Sequence, residues 1–508
     1  MTKKNLILLG FILLKFLLQY ALINPHYDLH RDEYLHLDQA NHLAWGYLSV
    51  PPVTSWISWV VQSLGNSIFW VKFFPALFGA LTMLVVWKII EELKGNLFAL
   101  VLGATCTLFS ILLRLNFLFQ PNSFDVLSWT LFYFLLIKYF NTEKAKWLYM
   151  AAIGFAIGFL NKYNVVFMLV GIFPSILLTG QRKIFFQTEF YGSIMVGLLL
   201  ILPNILWQYN NGFPVFHHLR QLADTQLVNV NRWNFLKDQV FYFIGALPVI
   251  VASLYALLFY EPLKKYKVFF WIFFFTLTVF ICLKAKSYYA IGLYPIYIGF
   301  GSTFIGSIQN RSWKKFVKPV VIAIPLLFYF FLYHIVYSIQ TPGEIIKTED
   351  VYRKYGLLRW EDGKDHTLPQ DFADMLGWKE LASKVDSIYT HLPEDEYTFV
   401  LCDNYGQAGA INYYAKNKKI KAVTFDADYI NWFNLDSKIE NVIRVKGFEE
   451  SKEELELSSP FFNSSSVAGS ITNPLAREYK TTIFLLRKAK ADINQKLKIE
   501  LEEEKNER

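Results

Sequence analysis

Cysteine is scarce in this chain: Cys106, Cys282 and Cys402 are the 3 thiols among 508 residues. Cys106 and Cys282 fall inside apolar runs, where a buried thiol acts as a small hydrophobe, and Cys402 stands alone in the C-terminal third, so no disulfide framework is implied. There is no CxxC pair, no Walker loop and no GxGxxG. The usual signals for a redox thiol pair, a P-loop and a dinucleotide site are therefore missing. Charge is thin as well, at 18% of residues, against 54% hydrophobic and 18% aromatic.

What is plentiful is long apolar runs, and they are continuous rather than amphipathic in spacing. A spanning helix needs roughly 20 mostly apolar residues, and about eleven runs before residue 341 qualify. They lie near residues 5–23, 68–90, 97–113, 122–140, 147–160, 163–179, 190–207, 238–260, 267–283, 288–307 and 317–340. The chain is thus predicted to be a mostly α, polytopic membrane protein. A net charge of +8 would suggest nucleic acid in a soluble protein. Here the lysines and arginines are spread over loops, so membrane topology explains them and no nucleic-acid partner is expected.

With the N-terminus cytoplasmic, parity puts Lys94, then Lys144 and Lys146, then Arg182 and Lys183 in cytoplasmic loops, followed by Lys264, Lys265 and Lys267, and by Arg311, Lys314, Lys315 and Lys318. This obeys the positive-inside rule. The first apolar run is long and no small-x-small cleavage site precedes the polar loop after it, so it is expected to be a retained anchor. Residues 28–52 and everything after 341 then face outward. Short outer loops nevertheless carry Arg31, Arg114, Lys162, Lys284 and Lys286. Any one of these side chains can snorkel to headgroups; as a group, cations on the outer face suit an anionic substrate such as a lipid phosphate.

The first outer loop, residues 24–67, is the densest polar stretch of the membrane half, with Asp28, His30, Arg31, Asp32, Glu33, His36 and Asp38 close together. Ionisable groups near membrane depth are costly and are read by default as functional. Residues 33–46 are predicted to form a surface helix ending at Gly46, and 53–64 a second one started by Pro51-Pro52. Asp32 also suits the N-cap of the first helix. His30 and His36 lack a fixed zinc spacing and read more simply as solvated histidines. In the second outer loop, 114–125, Asp125 is expected either to pair with Arg114 or to share a cavity with Asp32. The loop 207–239, with His217, His218, Arg220, Asp224, Arg232, Trp207, Phe213 and Trp233, suits sugar or acceptor recognition, or a solvated loop with interfacial aromatics.

After residue 341 the spans stop and charge rises, predicting a soluble extracytoplasmic α/β domain over 341–487 and a charged tail over 488–508, either a solvated helix or disordered. Residues 376–392 and 407–416 read as helices, 397–403 and 420–426 as strands. The strand-to-helix turn 404–409 is expected to be a stabilising turn or to face a ligand.

Together these residues carry a resemblance. The Asp32-Glu33 pair, GYLSVPP (46–52), QPNSFD (120–125), LNKYN (160–164), PNILWQYNNGFP (203–214) and KAKSYYAIGLYP (284–295) resemble, as an ordered set over residues 1–340, the GT-C superfamily of polyprenyl-phosphate-sugar-dependent glycosyltransferases. The similarity is to the bacterial branch near protein O-mannosyltransferases and the aminoarabinose transferase of lipid A. DNYGQAGAINYY (403–414) also resembles a recurrent stretch in these transferases. Val50 stands where many relatives have a histidine, so no role for that histidine carries over.

The resemblance implies a GT-C fold and inverting transfer of a sugar from a lipid phosphate to an acceptor hydroxyl on the outer membrane face. It implies Asp32 as general base with Glu33 beside it, Asp125 supporting the site, and a lipid phosphate held by Lys162, Lys284 and Lys286, with Arg114, Tyr288 and Tyr289 alongside. The chemistry is self-consistent. A phosphodiester leaves without needing a proton, so one carboxylate base and cations on the phosphate suffice, unlike the acid and base pair of a glycosidase. Family members can use a divalent metal ion, but nothing in the sequence fixes a ligand set. The implied partners are the polyprenyl-phosphate-linked donor, membrane lipid, and a glycan, lipid or protein acceptor. A transporter or flippase of lipid-linked sugars would also want polar groups in a membrane cavity, but it should show internal repeats and midplane charges, and neither is visible. A receptor-like scaffold would leave the surface carboxylates unexplained.

Overall fold

The computed structural model describes residues 2–309 and 312–506; Arg311 and the last two residues of the charged tail lie outside the described residues. Lipid offers no hydrogen-bond partners, so an apolar stretch there must pair its backbone within itself, as a helix does. All of the apolar runs are accordingly helical. Among the described residues, six helices are long and apolar enough to cross alone: Lys3–Ala21, Ile68–Glu92, Pro121–Thr142, Thr188–Asn210, Glu261–Cys282 and Lys314–Val336.

The other runs are broken or short. Tyr163–Leu177 meets Gly180–Phe186 at 107°, and Arg232–Tyr242 meets Leu247–Phe259 at 99°. Counting each bent pair as one span gives up to 8 rather than the expected eleven, with Leu97–Leu108 and Ala145–Phe159 shorter. The run at 288–307 divides into a 3-10 segment, Ser287–Leu293, and a helix, Pro295–Ser307, because Pro295 fits the first helical turn and starts the helix there.

In the first loop the predicted 33–46 helix is shorter and starts earlier. It runs Arg31–Asp38, followed by a 3-10 turn, Gln39–Asn41. Its N-cap is His30, not Asp32. The His30 ring accepts from the Asp32 backbone N–H, and the Glu33 carboxylate reaches back to the His30 N–H at 2.8 Å, a reciprocal box. The helix stops because the following chain is claimed from outside: Leu48 N–H donates to Asp428 at 2.7 Å, and the His42 ring stacks on Trp432 at 4.2 Å. After Pro51-Pro52 comes the helix Val53–Ser63.

The C-terminal part is an α/β unit with a five-stranded sheet in the order β2-β1-β3-β5-β4. The strands are β1 (Thr398–Cys402), β2 (Ala422–Thr424), β3 (Asn441–Lys446), β4 (Phe462–Ser470) and β5 (Thr482–Ala489). β1 pairs in parallel with β2 and β3, whereas β5 is antiparallel to both β3 and β4. Side chains alternate across the pleat. Val400, Cys402, Ile443 and Val445 face the helices Trp378–Thr390 and Tyr405–Tyr414, while Phe399, Leu401, Val442 and Phe484 face the other way. The charged tail covers that second face as a helix, Ile493–Asn506, whose Ile493 and Leu497 are buried. Their i, i+4 spacing supplies the apolar stripe that a fully solvated tail would lack.

The decisive feature is a shared core. Leu29, Tyr34, Leu35 and Leu37 of the first loop pack in one buried cluster with Trp378, Leu381, Ala408 and Ile411 of the α/β unit. Gly409 makes this possible: a Cβ there would lie 2.7 Å from both Tyr34 Cβ and Tyr429 Oη. The loop and the α/β unit therefore lie at the same end of the bundle. At another point on the bundle, Glu92 accepts from Lys138 at 2.7 Å and from Asn141 at 2.6 Å, and Lys265 donates to Asn141 at 2.8 Å, tying the ends of two long helices to the segment Glu261–Tyr266.

Candidate active site

The short helix Arg31–Asp38 is held from two sides, and this fixes its two acidic residues in opposite situations. Glu33 is fully buried, accepting from Lys72 Nζ at 2.7 and 2.9 Å, from Phe119 N–H at 2.7 Å and from His30 N–H. Its lone pairs are occupied by protein donors. The Lys72 ammonium also sits 4.4 Å over the Phe117 ring. Asp32, one position earlier, points the other way, and 37% of its side chain is open.

Asp32 Oδ1 accepts from Tyr405 Oη at 2.7 Å and Oδ2 from Gln120 Nε2 at 3.0 Å. His30 Nδ1 lies 3.8 Å from Oδ2, and the Arg31 guanidinium lies 4.4 Å over the Tyr405 ring. Burial pushes the Asp32 carboxyl up, but the neighbouring His30 ring, the Arg31 charge and the Tyr405 hydrogen bond outweigh it, and the group is held down at about 2. It is a carboxylate with one open lone pair on each oxygen.

From Gln120 a hydrogen-bonded chain leads to a lysine. Asn122 Nδ2 donates to Gln120 Oε1 at 2.8 Å, and Lys162 Nζ donates to Asn122 Oδ1 at 2.6 Å. Lys162 lies 4.6 Å from the Tyr289 ring centroid and 5.1 Å from that of Tyr288, in a cation–π cradle. Burial lowers its ammonium to about 8, against the opposing pull of Asp125 and with the added push of Lys286. Asp125 is buried, accepting from Trp129 Nε1 at 3.1 Å and from Asn164 Nδ2 at 3.0 Å; Asn164 also donates to the Tyr289 carbonyl. Lys286 lies 6.0 Å from the Tyr288 ring and donates to Glu361 at 2.6 Å.

Of the residues expected to hold a phosphate, Lys162, Lys286, Tyr288 and Tyr289 come together. Arg114 does not join them and does not pair with Asp125: it donates to Asp371 at 2.9 Å and lies against Phe372 of the α/β unit. Lys284 is exposed, at a left-handed φ of 50°, at the end of the Lys267–Cys282 helix. His36 is buried against Gln39 at 3.2 Å rather than solvated, and burial lowers its ring pKa. Among the described residues no group of three or more His, Cys, Asp or Glu is arranged to hold a metal ion, and no step below is routed through one. The loop 207–239 is largely helical, with Pro214–Thr225 followed by Arg232–Tyr242, and Phe216 and Trp233 are exposed.

Sequence reasoning missed Lys72, Gln120, Asn122, Asn164 and Tyr405. Gln120, Asn122 and Asn164 stand inside stretches that carried the family resemblance, and Tyr405 inside the 403–414 stretch. Lys72 had a weaker signal, as a lone charge one turn into an apolar run.

Apolar helices bearing a carboxylate and a cradled lysine at one end, roofed by an α/β domain, define a polytopic membrane protein with a polar site at the bundle end. The fold is the GT-C fold. Within it, residues 49–207 match the family model "Dolichyl-phosphate-mannose-protein mannosyltransferase". The whole chain is similar to ArnT from Cupriavidus metallidurans bound to undecaprenyl phosphate, at 12% identity and a TM-score of 0.64, covering 95% of this chain and 98% of that one. The apo state of the same ArnT gives 11%, 0.63, 95% and 98%. The oligosaccharyltransferase of Archaeoglobus fulgidus, in complex with Zn and sulfate, gives 12%, 0.47, 86% and 68%. No curated protein sequence matches the chain.

Proposed function

We propose that this protein is an inverting glycosyltransferase that moves a hexosyl or pentosyl group from a polyprenyl-phosphate donor to an acceptor hydroxyl at the outer face of the cytoplasmic membrane. Asp32 is the general base. The observation that carries the reading is the continuous chain Asp32–Gln120–Asn122–Lys162. The Asp32 carboxylate and the Lys162 ammonium are thereby linked in one hydrogen-bonded frame, as a transfer between them requires.

In this mechanism the acceptor O–H gives its proton to an Asp32 oxygen as the acceptor oxygen bonds to the anomeric carbon. The carbon–oxygen bond to the phosphate breaks on the opposite face, and its electron pair leaves with the phosphate. Lys162 and Lys286 meet the charge that develops there, so no acid is needed. Asp125 keeps Asn164 and Lys162 aligned. Glu33 orients the helix that bears Asp32 and does not react. Arg114 and Lys284 are left outside the phosphate site. The ArnT-like fold and the mannosyltransferase-family segment support the reaction class, and the basic loops support a cytoplasmic N-terminus.

The test is a transfer assay in lipid with labelled polyprenyl-phosphate sugars and a membrane extract as acceptor. Asp32→Asn should lower kcat/KM by on the order of 100- to 10,000-fold while the folded variant still binds donor. Equal transfer by the variant would remove Asp32 from the chemistry. If neither protein transferred from any donor, a flippase would be the better reading.

A further inference from the structure

Tyr405 belongs to the soluble α/β unit, 373 residues from Asp32, yet its hydroxyl lies 2.7 Å from Asp32 Oδ1. Nothing about the placement is loose. Tyr405 opens the helix Tyr405–Tyr414, its backbone N–H donates to Asp426 at 3.3 Å, and Asn404 caps the helix. The next residue is Gly406, where a Cβ would stand 3.3 Å from Arg31 Cβ and 2.9 Å from the Trp378 ring. The helix start is thus pressed against the segment bearing the carboxylate, closer than any larger residue would allow. On that segment Asp28 accepts from the backbone N–H groups of Trp378 and Lys379, at 3.0 and 3.2 Å. Arg31 completes the clamp by lying over the Tyr405 ring.

The two Asp32 oxygens are therefore distinguished by what holds them. Oδ2 is tied through Gln120 to the lysine side, and Oδ1 is tied to the soluble domain. We infer that Tyr405 is a positioning residue for the transfer reaction: with Gln120 holding Oδ2, its hydroxyl on Oδ1 sets the plane of the carboxylate that takes the acceptor proton. The inference rests on Asp32 being the base. The soluble domain is then a contributor to the active site rather than a separate module, and the 403–414 stretch delivers the Tyr405 hydroxyl as well as packing on the first loop. A hydroxyl donated to a carboxylate stabilises its charged form, so Tyr405 also keeps Asp32 ionised beside His30, Arg31 and Asp374.

The test compares the full-length protein in lipid nanodiscs with Tyr405→Phe, which keeps the ring and its contact with Arg31, and with Asp32→Asn. Infrared titration identifies the Asp32 carboxyl as the band absent from Asp32→Asn. In Tyr405→Phe its midpoint should rise by roughly 1 pH unit. In the transfer assay kcat should fall about 10- to 100-fold, with donor KM and thermal unfolding midpoint unchanged. An unmoved infrared midpoint would overturn the proposal, as would a raised donor KM with a lowered unfolding midpoint, which marks a packing role. Full kcat in Tyr405→Phe beside an inactive Asp32→Asn would also overturn it while leaving Asp32 as base. Full transfer by Asp32→Asn is instead the failure of the base assignment itself.

Discussion

Replacing Lys72 with methionine leaves Glu33 as an uncompensated buried charge. The pair is out of solvent on both sides, with side chains 4% and 0% exposed, and the ammonium makes two contacts of 2.7 and 2.9 Å to the carboxylate. Removing one partner of a buried ion pair costs about 3–5 kcal/mol, because the survivor keeps its desolvation penalty. The backbone donors of His30 and Phe119 remain, which argues for the lower part of that range. Changing Glu33 to glutamine in the same protein removes the stranded charge; because His30 N–H and Phe119 N–H reach different carboxylate oxygens, the single amide oxygen accepts from only one of them. The double variant Glu33→Gln, Lys72→Met should therefore cost about 0.5–3 kcal/mol less than the sum of the single changes. Reversible unfolding in mixed micelles, followed by tryptophan fluorescence, measures all three. A cost below about 1 kcal/mol for Lys72→Met alone, a value typical of exposed pairs, would refute the reasoning.

Other outcomes follow from the same geometry. Because burial lowers the Lys162 ammonium to about 8, the free enzyme loses this charge as pH rises through that value, and donor KM should climb on the alkaline side. Lys162→Arg should abolish that limb, since a guanidinium does not titrate there, and Lys162→Met should cost on the order of 100-fold in kcat/KM. Gly409→Ala gains up to about 1 kcal/mol of helix propensity but places a methyl 2.7 Å from Tyr34 Cβ. Overpacking at about 1–3 kcal/mol should win, giving a net loss of stability in the same unfolding assay. The Arg114–Asp371 pair has side chains 12% and 55% exposed. Asp371→Asn should therefore cost less than about 1 kcal/mol and leave donor KM unchanged.

Which parts of this were readable in advance follows from the physics each part obeys. A bilayer demands long apolar stretches that pair their own backbone, so the membrane helices stand out from hydropathy alone. The bends at 177–180 and 242–247 do not, because apolar content continues across them and direction is set by packing. The α/β unit was readable because its strands and helices follow two different periodicities. Asp32, Glu33 and Asp125 were visible as charges in costly places, but their division of labour was not. Whether a carboxylate meets Lys72 or Gln120 and Tyr405 depends on which way one short helix faces, and that is decided by residues far along the chain. The surroundings of Arg114 were hidden for the same reason. Its carboxylate partner, Asp371, lies 257 positions along the chain, and Glu361, the partner of Lys286, lies 75 positions along, so neither pairing shows in local pattern. Tyr405 lay in a stretch already singled out, yet its destination could not be deduced from local pattern.

The common core of the first loop and the α/β unit also sets an order of events during biosynthesis. The segment bearing Asp32 is made early, but the residues that bury Tyr34 and anchor Asp32 come more than 300 positions later. At roughly 5–20 residues per second, the ribosome needs on the order of half a minute to make that intervening chain. Throughout this interval the helix Arg31–Asp38 lacks the part of its core that Trp378, Leu381, Ala408 and Ile411 supply, and Asp32 lacks the Tyr405 hydroxyl. A half-made copy in the membrane thus has an unfinished site around Asp32, completed only when the last third of the polypeptide docks.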